Sequence, residues 1–314
     1  MKKFYLIGTS MKILIVGASR FIGSHLIDRL LINNNLEKIF CTFFSNNYSS
    51  QYKNNKLIFQ KCDVKDFNNF KLNILNSNAD VILYMASTRY YPAPLDKSDH
   101  QKINVDGIQN LIKICNETKK IPRIIFINSG VSSFNTNKDK KGDKNYISSK
   151  QNASELFKLS KSKDNIIGTQ VNLYTPYGPR DYKYRLIQST VIDLLNNKNP
   201  ILNNPNSLRD FIYIDDVIDI LEKVILTNNN IESLDVGSSN PISTLKIIEE
   251  IYKVMNINRP VDINQSDNIE DITYMKADLN TANKLLNWSP KINLEKGIYN
   301  TVEWTKKNYK NYYE

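Results

Sequence analysis

Apolar residues in this chain fall into short unbroken runs separated by amphipathic stretches. The runs at 13–16, 39–43, 57–59, 81–84, 124–128 and 166–172 have the length of strands. They show little polar alternation, as expected of strands covered on both faces. Between them, residues 24–32, 103–118 and 147–160 carry apolar positions at helical spacing. Repeated strand–helix alternation predicts an α/β fold built on a doubly wound parallel sheet. After Tyr174 the texture changes. Thr175-Pro-Tyr-Gly-Pro-Arg180 is a turn-rich break, and the Asn/Pro-rich stretch 196–206 reads as an exposed loop. Arg209-Asp-Phe-Ile-Tyr-Ile-Asp-Asp216 reads as a short strand meeting a helix, with Asp215 or Asp216 as N-cap. Residues 233–237 read as a further strand, and the chain from Pro241 onward is mainly helical. The expected division is a sheet domain over 11–175, to which 209–237 returns, and a smaller, mainly helical domain over 176–314 interleaved with it.

Composition narrows the class. A chain of 314 residues, 41% hydrophobic and 24% charged, is long enough for a real core and ordinary for a globular protein. No apolar run approaches the ~20 residues that span a bilayer, so no membrane partner is expected. Met11-Lys12 reads as a natural start, with residues 1–10 as an extension and no signal peptide. Cys41, Cys62 and Cys115 are far apart and His25 and His100 are the only histidines. That pattern argues against a metal site and for a reducing, cytoplasmic setting. The formal charge of +10 favours anionic ligands. It is diffuse, with no basic–aromatic repeat, so nucleic acid is not the expected partner.

Three groups of residues carry chemistry. The run Lys12-Ile-Leu-Ile-Val-Gly17-Ala-Ser-Arg20-Phe-Ile-Gly23 reads as strand, tight turn and helix. Such a turn lets backbone N–H groups at a helix N-terminus meet a dinucleotide pyrophosphate; Gly17 supplies the turn, and Gly23 lets the helix lie close on the strand. Tyr146 and Lys150 are four apart, which on a helix places a phenol and an ammonium on one face. A phenol ordinarily titrates near ~10, and a neighbouring ammonium favours its ionised form. Moving it by about 3 units takes roughly 4 kcal/mol of differential interaction. Tyr146 would then serve as general acid or base on a carbonyl/alcohol pair. Ser129 follows the strand at 124–128, where parallel sheets place ligands, and would hold the substrate oxygen, with Ser132 and Ser133 as competitors.

Together these elements resemble the extended short-chain dehydrogenase/reductases, in particular the nucleotide-sugar epimerase/dehydratase group, over about residues 12–298. The carriers are Gly17 to Gly23, Asp63-Val64, Asn104 within Ile-Asn-Val-Asp-Gly, Ser129 with Tyr146-x-x-x-Lys150, and Tyr177-Gly-Pro-Arg180. Further carriers are Arg209 to Asp216, Val236-Gly-Ser, Ala277-Asp278 and Leu286-Asn-Trp288-Ser-Pro. The resemblance implies a Rossmann-type sheet with a smaller substrate-binding domain. Gly17, Ala18, Arg20, Phe21, Ile22 and Gly23 would surround the cofactor pyrophosphate. Asp63 and Val64 would flank the adenine, while Ala86, Ser87 and Asn104 would line the cofactor further along. Lys150 would also bind the nicotinamide ribose. Thr175 would contact substrate, and Arg209 would grip the diphosphate of a nucleotide sugar, a task suited to a guanidinium fork. The alternative for Arg209 is a structural pair with Asp210 or Asp216.

Departures from the family pattern refine the expectation. Cys41-Thr-Phe-Phe-Ser45-Asn46 offers no acid at the end of the second strand for ribose hydroxyls, and Arg20 is placed to meet a 2′-phosphate. NADP is therefore preferred over NAD. Gly130-Val131 stand where dehydrating relatives carry an Asp-Glu pair, which argues against dehydration. Neither His25 nor His100 is suitably placed for proton transfer at C3 or C5, and the lysine-rich run 135–144 replaces a long substrate loop. The expected function is an NAD(P)-dependent nucleotide-sugar oxidoreductase acting at sugar C4, as 4-keto reductase or 4-epimerase, with a slight lean to the reductase. Its rivals are a non-catalytic or RNA-associated dinucleotide-binding relative and a reductase of small carbonyl compounds. Family members pair through the helices corresponding to 103–118 and 146–159, so a homodimer is expected.

Overall fold

The computed structural model describes residues 10–18, 21–45, 51–90, 96–118, 120–133, 143–164, 166–264 and 272–313. Its first half runs β1 (Met11–Val16), α1 (Phe21–Leu31), β2 (Leu36–Phe43), β3 (Leu57–Lys61), α2 (Phe67–Ser77) and β4 (Val81–Tyr84). It continues through α3 (Gly107–Glu117), β5 (Arg123–Ser129), α4 (Lys144–Lys163) and β6 (Gly168–Leu173). A π-helical segment, His100–Asp106, leads directly into α3, and a 3₁₀ turn, Gly130–Ser133, follows β5. The second half contains β7 (Thr175–Tyr177), α5 (Leu186–Leu195), β8 (Ile201–Leu202), β9 (Leu208–Arg209), β10 (Phe211–Tyr213) and α6 (Ile214–Leu226). It ends with β11 (Ser233–Val236), β12 (Ile242–Ser243), α7 (Thr244–Val254), β13 (Asp262–Ile263), α8 (Asn280–Leu286) and α9 (Leu294–Tyr313).

Seven strands form one sheet in the order β11-β6-β5-β4-β1-β2-β3, and its strand pairs are all parallel. Successive side chains of a strand point to opposite faces, which splits each apolar run between two cores. Ile13, Ile15, Val81, Leu83, Ile125 and Ile127 join the core under α1, α5, α6, α7 and α9. Leu14, Val16, Ile82, Tyr84, Ile124 and Phe126 join the opposite core under α2, α3 and α4. Each fully buried apolar side chain contributes roughly 1.5–3 kcal/mol relative to exposure, so an uninterrupted apolar strand supports both layers.

The chain returns to this sheet late: β11 pairs with β6 at its edge, while β10 pairs with β7 in a separate two-stranded ribbon. The stretch 196–206 is largely exposed, as expected, and also holds the two-residue β8, which pairs with β13 and buries Leu202. The N-cap of α6 is Tyr213, not Asp215 or Asp216. Both aspartates lie in the first turn, where the helix dipole favours them. Asp216 is claimed by a distant segment, accepting backbone N–H groups from Lys291 and Ile292 at 2.9 Å each. No described helix is long and apolar enough to cross a membrane.

Candidate functional site

Strand order reverses between β1 and β4, and such a switch point opens a crevice at the carboxyl ends of the strands. Gly17 lines it from β1 in the left-handed region, with φ +84°. Its N–H donates to Thr42 Oγ1 at 3.0 Å and the Ala18 N–H to the Thr42 carbonyl at 2.9 Å, so β2 fixes the turn. A Cβ on Gly17 would lie 2.9 Å from the Ala86 nitrogen, and one on Gly23 only 2.1 Å from the Ala18 carbonyl oxygen. The glycines thus allow β4 and α1 to close on the turn. Phe21 is buried and Ile22 half-buried at the start of α1, while Arg20 lies outside the described residues. Further along the crevice, Asp63 accepts the Lys65 N–H at 2.9 Å, and the buried Val64 presents its carbonyl to Asn110 at 3.1 Å.

The second cluster gathers on α4. Asp143 caps this helix, accepting from the N–H groups of Asn145 at 2.9 Å and Tyr146 at 3.2 Å. Lys150 is 3% exposed and Tyr146 is 8% exposed. The Lys150 Nζ donates to Ser87 Oγ at 2.6 Å and lies 5.7 Å from the Tyr146 ring centroid. Ser87 donates to Asn104 Oδ1 at 3.1 Å, and buried Asn104 donates to Thr88 Oγ1 at 2.8 Å and Ser149 Oγ at 2.9 Å. Asn128 reaches from β5 to the Lys150 carbonyl at 3.1 Å, locking helix to sheet. The Ser129 hydroxyl lies near enough to the Tyr146 phenol to favour its ionised form. Its competitors are turned elsewhere, Ser132 to Asn172 Oδ1 at 3.2 Å and Ser133 to the Gly130 carbonyl at 2.8 Å.

Burial dominates the electrostatics here. It pushes the Tyr146 phenol above its ordinary value, against the lowering influence of the Ser129 hydroxyl and the Arg185 charge. The same burial brings the Lys150 ammonium down to about 7. The expected lowering of Tyr146 by Lys150 is therefore not the leading effect in the chain alone.

On the far side, Thr175 begins β7 and its N–H donates to the Asp210 carbonyl at 3.0 Å. Arg209 is half-buried; its Nε donates to Ser207 Oγ at 2.9 Å and its Nη1 contacts Met275 Sδ at 3.4 Å. Met275 packs in one apolar cluster with Val131, Tyr146, Ile147 and Tyr174, which brings Arg209 to the same end of the molecule as the phenol. The carboxylates of Asp210 and Asp216 are taken by backbone N–H groups, of Ser238, Ser239 and Ala277 and of Lys291 and Ile292 respectively.

Several side chains at the site escape sequence reasoning. Thr42, Thr88 and Tyr90 have only one signal, their position in or after a parallel strand. Arg185 is remote in sequence from Tyr146, yet its charge reaches the phenol. His100 sits edge-on to the Tyr146 ring, with centroids 5.6 Å apart, far nearer the phenol than its place ahead of Asn104 suggests.

Residues 13–237 match the sequence model of the NAD dependent epimerase/dehydratase family. A putative UDP-glucose 4-epimerase of Methanocaldococcus jannaschii is 26% identical over 94% of this chain and 99% of its own length. Among solved structures, dTDP-glucose 4,6-dehydratase of Bacillus anthracis in complex with NAD superposes with a TM-score of 0.84 at 18% identity. That match covers 96% of this chain and 98% of the other. UDP-glucuronic acid 4-epimerase of Bacillus cereus, in complex with UDP-glucuronic acid and NAD, gives 0.83 at 23% identity, covering 95% and 99%.

Proposed function

The chain belongs to the NAD dependent epimerase/dehydratase family, and from that premise we propose that it is an NAD(P)-dependent oxidoreductase acting at C4 of a nucleotide-linked sugar. The observation that carries the reading is the set of half-buried Ser129 with buried Tyr146 and Lys150, standing beside a glycine turn too tight for any side chain. That turn fits a dinucleotide pyrophosphate: Gly17, Ala18, Phe21, Ile22 and Gly23 would hold it, with Asp63 and Val64 beside the adenine. Ala86, Ser87, Asn104 and Lys150 would line the nicotinamide end. When bound, the dinucleotide supplies the hydride acceptor or donor at the sugar carbon.

The remaining work falls to the side chains. Ser129 holds the C4 oxygen by a hydrogen bond and aligns it on the Tyr146 phenol. In reduction Tyr146 gives its proton to that oxygen; in epimerisation it takes the proton and returns it after the keto sugar turns over. A charged Lys150 offsets the cost of the transient phenolate. Arg209 and Thr175 would anchor the nucleotide diphosphate and the sugar. Tyr174 fills the space in front of Gly130, where a Cβ would come within 2.9 Å of its ring. This supports a reaction without the acidic pair that water elimination uses.

The lean is to a 4-keto reductase using NADP, supported by the absence of an acid at the end of β2 and by Lys65, whose Nζ lies 5.9 Å from the exposed Phe44 ring there. A 4-epimerase retaining NAD is the second reading, supported by relatives named as 4-epimerases and as NAD complexes. The reading includes a homodimer joined through α3 and α4. Mass spectrometry of dinucleotide released on denaturing the freshly purified chain separates the two: near-stoichiometric NAD indicates the epimerase. Little cofactor, or traces of NADP, indicates the reductase and predicts NADPH oxidation with 4-keto sugar nucleotides. Binding of RNA with no affinity for dinucleotide or sugar nucleotide would sink both.

A further inference from the structure

We propose that His100 and Asp143 form a positioning pair that holds the Tyr146 ring in the orientation its proton transfer requires. The inference rests on the acid/base role assigned to Tyr146 above. Asp143 divides its two oxygens between two tasks. One caps α4 and fixes the backbone of Tyr146 itself. The other faces His100 Nε2 at 3.6 Å. His100 is 1% exposed and its ring meets Tyr146 edge-on, at 5.6 Å and 74°. Tyr90 meets the same ring edge-on at 5.5 Å and 72°, and its phenol oxygen accepts the Asp143 N–H at 3.4 Å. The Tyr146 ring is thus held by two T-shaped contacts, a geometry aromatic pairs favour, and both buttresses are tied to the residue that caps its helix.

The hydrogen bonds also favour one position for the imidazole proton. His100 Nδ1 is 2.7 Å from Thr88 Oγ1, and that hydroxyl accepts from Asn104 Nδ2 at 2.8 Å. Among the described residues Nδ1 is the acceptor within reach of the Thr88 proton, so the arrangement that satisfies both groups has Thr88 donating to Nδ1. The neutral imidazole then carries its proton on Nε2, toward Asp143. Asp99, Asp143 and Lys150 are the charged groups that act on the ring, and burial holds it toward the neutral form. Through Thr88 and Asn104 the same network continues to Ser87 and Lys150, so His100 braces the ammonium as well as the phenol.

The chain has only two histidines, which makes the pair directly readable. In ¹⁵N-histidine NMR of the full chain, with His100 assigned by its loss in His100→Phe, the expected tautomer is Nε2–H. Asp143→Asn retains a good helix cap but removes the charge, and should lower the pH at which His100 protonates. The Tyr146 ring signal in a ¹³C-tyrosine sample, assigned through Tyr146→Phe, should shift in both His100→Phe and Asp143→Asn while Tm and helical content hold. With a substrate in hand, His100→Phe should lower kcat roughly tenfold to a hundredfold, the scale set by small misplacements of reacting groups, with KM within about twofold. An Nδ1–H tautomer, or a Tyr146 signal unmoved in both variants, overturns the proposal. Full turnover by His100→Phe beside an inactive Tyr146→Phe overturns the positioning role alone. Full turnover by Tyr146→Phe overturns the acid/base reading with it.

Discussion

Tyr146 and Lys150 share one face of α4, and burial makes each of them reluctant to carry charge. If the phenol is the proton carrier, Tyr146→Phe should lower turnover by about 10²–10⁴-fold, the range general acid–base groups supply. Dinucleotide affinity, measured by titration calorimetry, should change less than threefold on the order-of-magnitude scale of a lost contact that binds little. Lys150 makes a second, activity-independent prediction. Its folded value of about 7 lies below the ordinary 10.5, so between those values the unfolded chain binds more protons. Stability therefore rises with pH across that window. Lys150→Met should stabilise the chain at pH 6 and shrink the difference between its urea midpoints at pH 6 and pH 9; a difference as large as in the parent would refute this. The spacing of Tyr146 and Lys150 and the strand-end place of Ser129 are visible in sequence because one helix and one strand carry them. Thr42, Thr88 and His100 are not, since each reaches the site from another element through a contact that no periodicity encodes.

The elbow joining β1 to α1 shows how an element is set by what it must approach. The apolar runs mark the core strands to within a few residues, because a strand buried on both faces leaves an unbroken run. Boundaries governed by tertiary partners are less visible: Asp216 resembles an N-cap but serves the segment at 291–292. Gly23 belongs to the legible part. Its helix lies so near the turn that Gly23→Ala would drive a methyl into the Ala18 carbonyl oxygen, 2.1 Å from the ideal Cβ position. Overpacking of this kind typically costs about 1–3 kcal/mol. We expect a lowered urea midpoint and at least a tenfold loss of dinucleotide affinity; unchanged affinity would detach the elbow from cofactor binding.

At the scale of the molecule, separate segments of the second half of the chain are tied to one another by a few buried carboxylates. Asp210 is fully buried and accepts from the Ser238 N–H at 2.5 Å, the Ser238 hydroxyl at 2.7 Å, the Ser239 N–H at 3.0 Å and the Ala277 N–H at 2.8 Å. It thereby joins the β9–β10 segment to the turn after β11 and to the stretch bordering Met275. Asp210→Ala strands several buried donors, each costing about 1–3 kcal/mol. It should lower Tm by many degrees in calorimetry; a shift under about 4 °C would show that the junction carries little. This stitching is invisible to local pattern, since the partners of Asp210 lie up to 67 residues away and those of Asp216 up to 76, although the late return of a strand to the sheet is legible from its apolar run. The packing of Gly130 against Tyr174 bears on ancestry. Any side chain at 130 collides with that ring, and the Tyr174 hydroxyl is itself bonded to Asp235 at 2.8 Å. A side chain can therefore enter at 130 only together with, or after, a change at 174 that clears the ring, whereas loss of the ring at 174 meets no such obstacle.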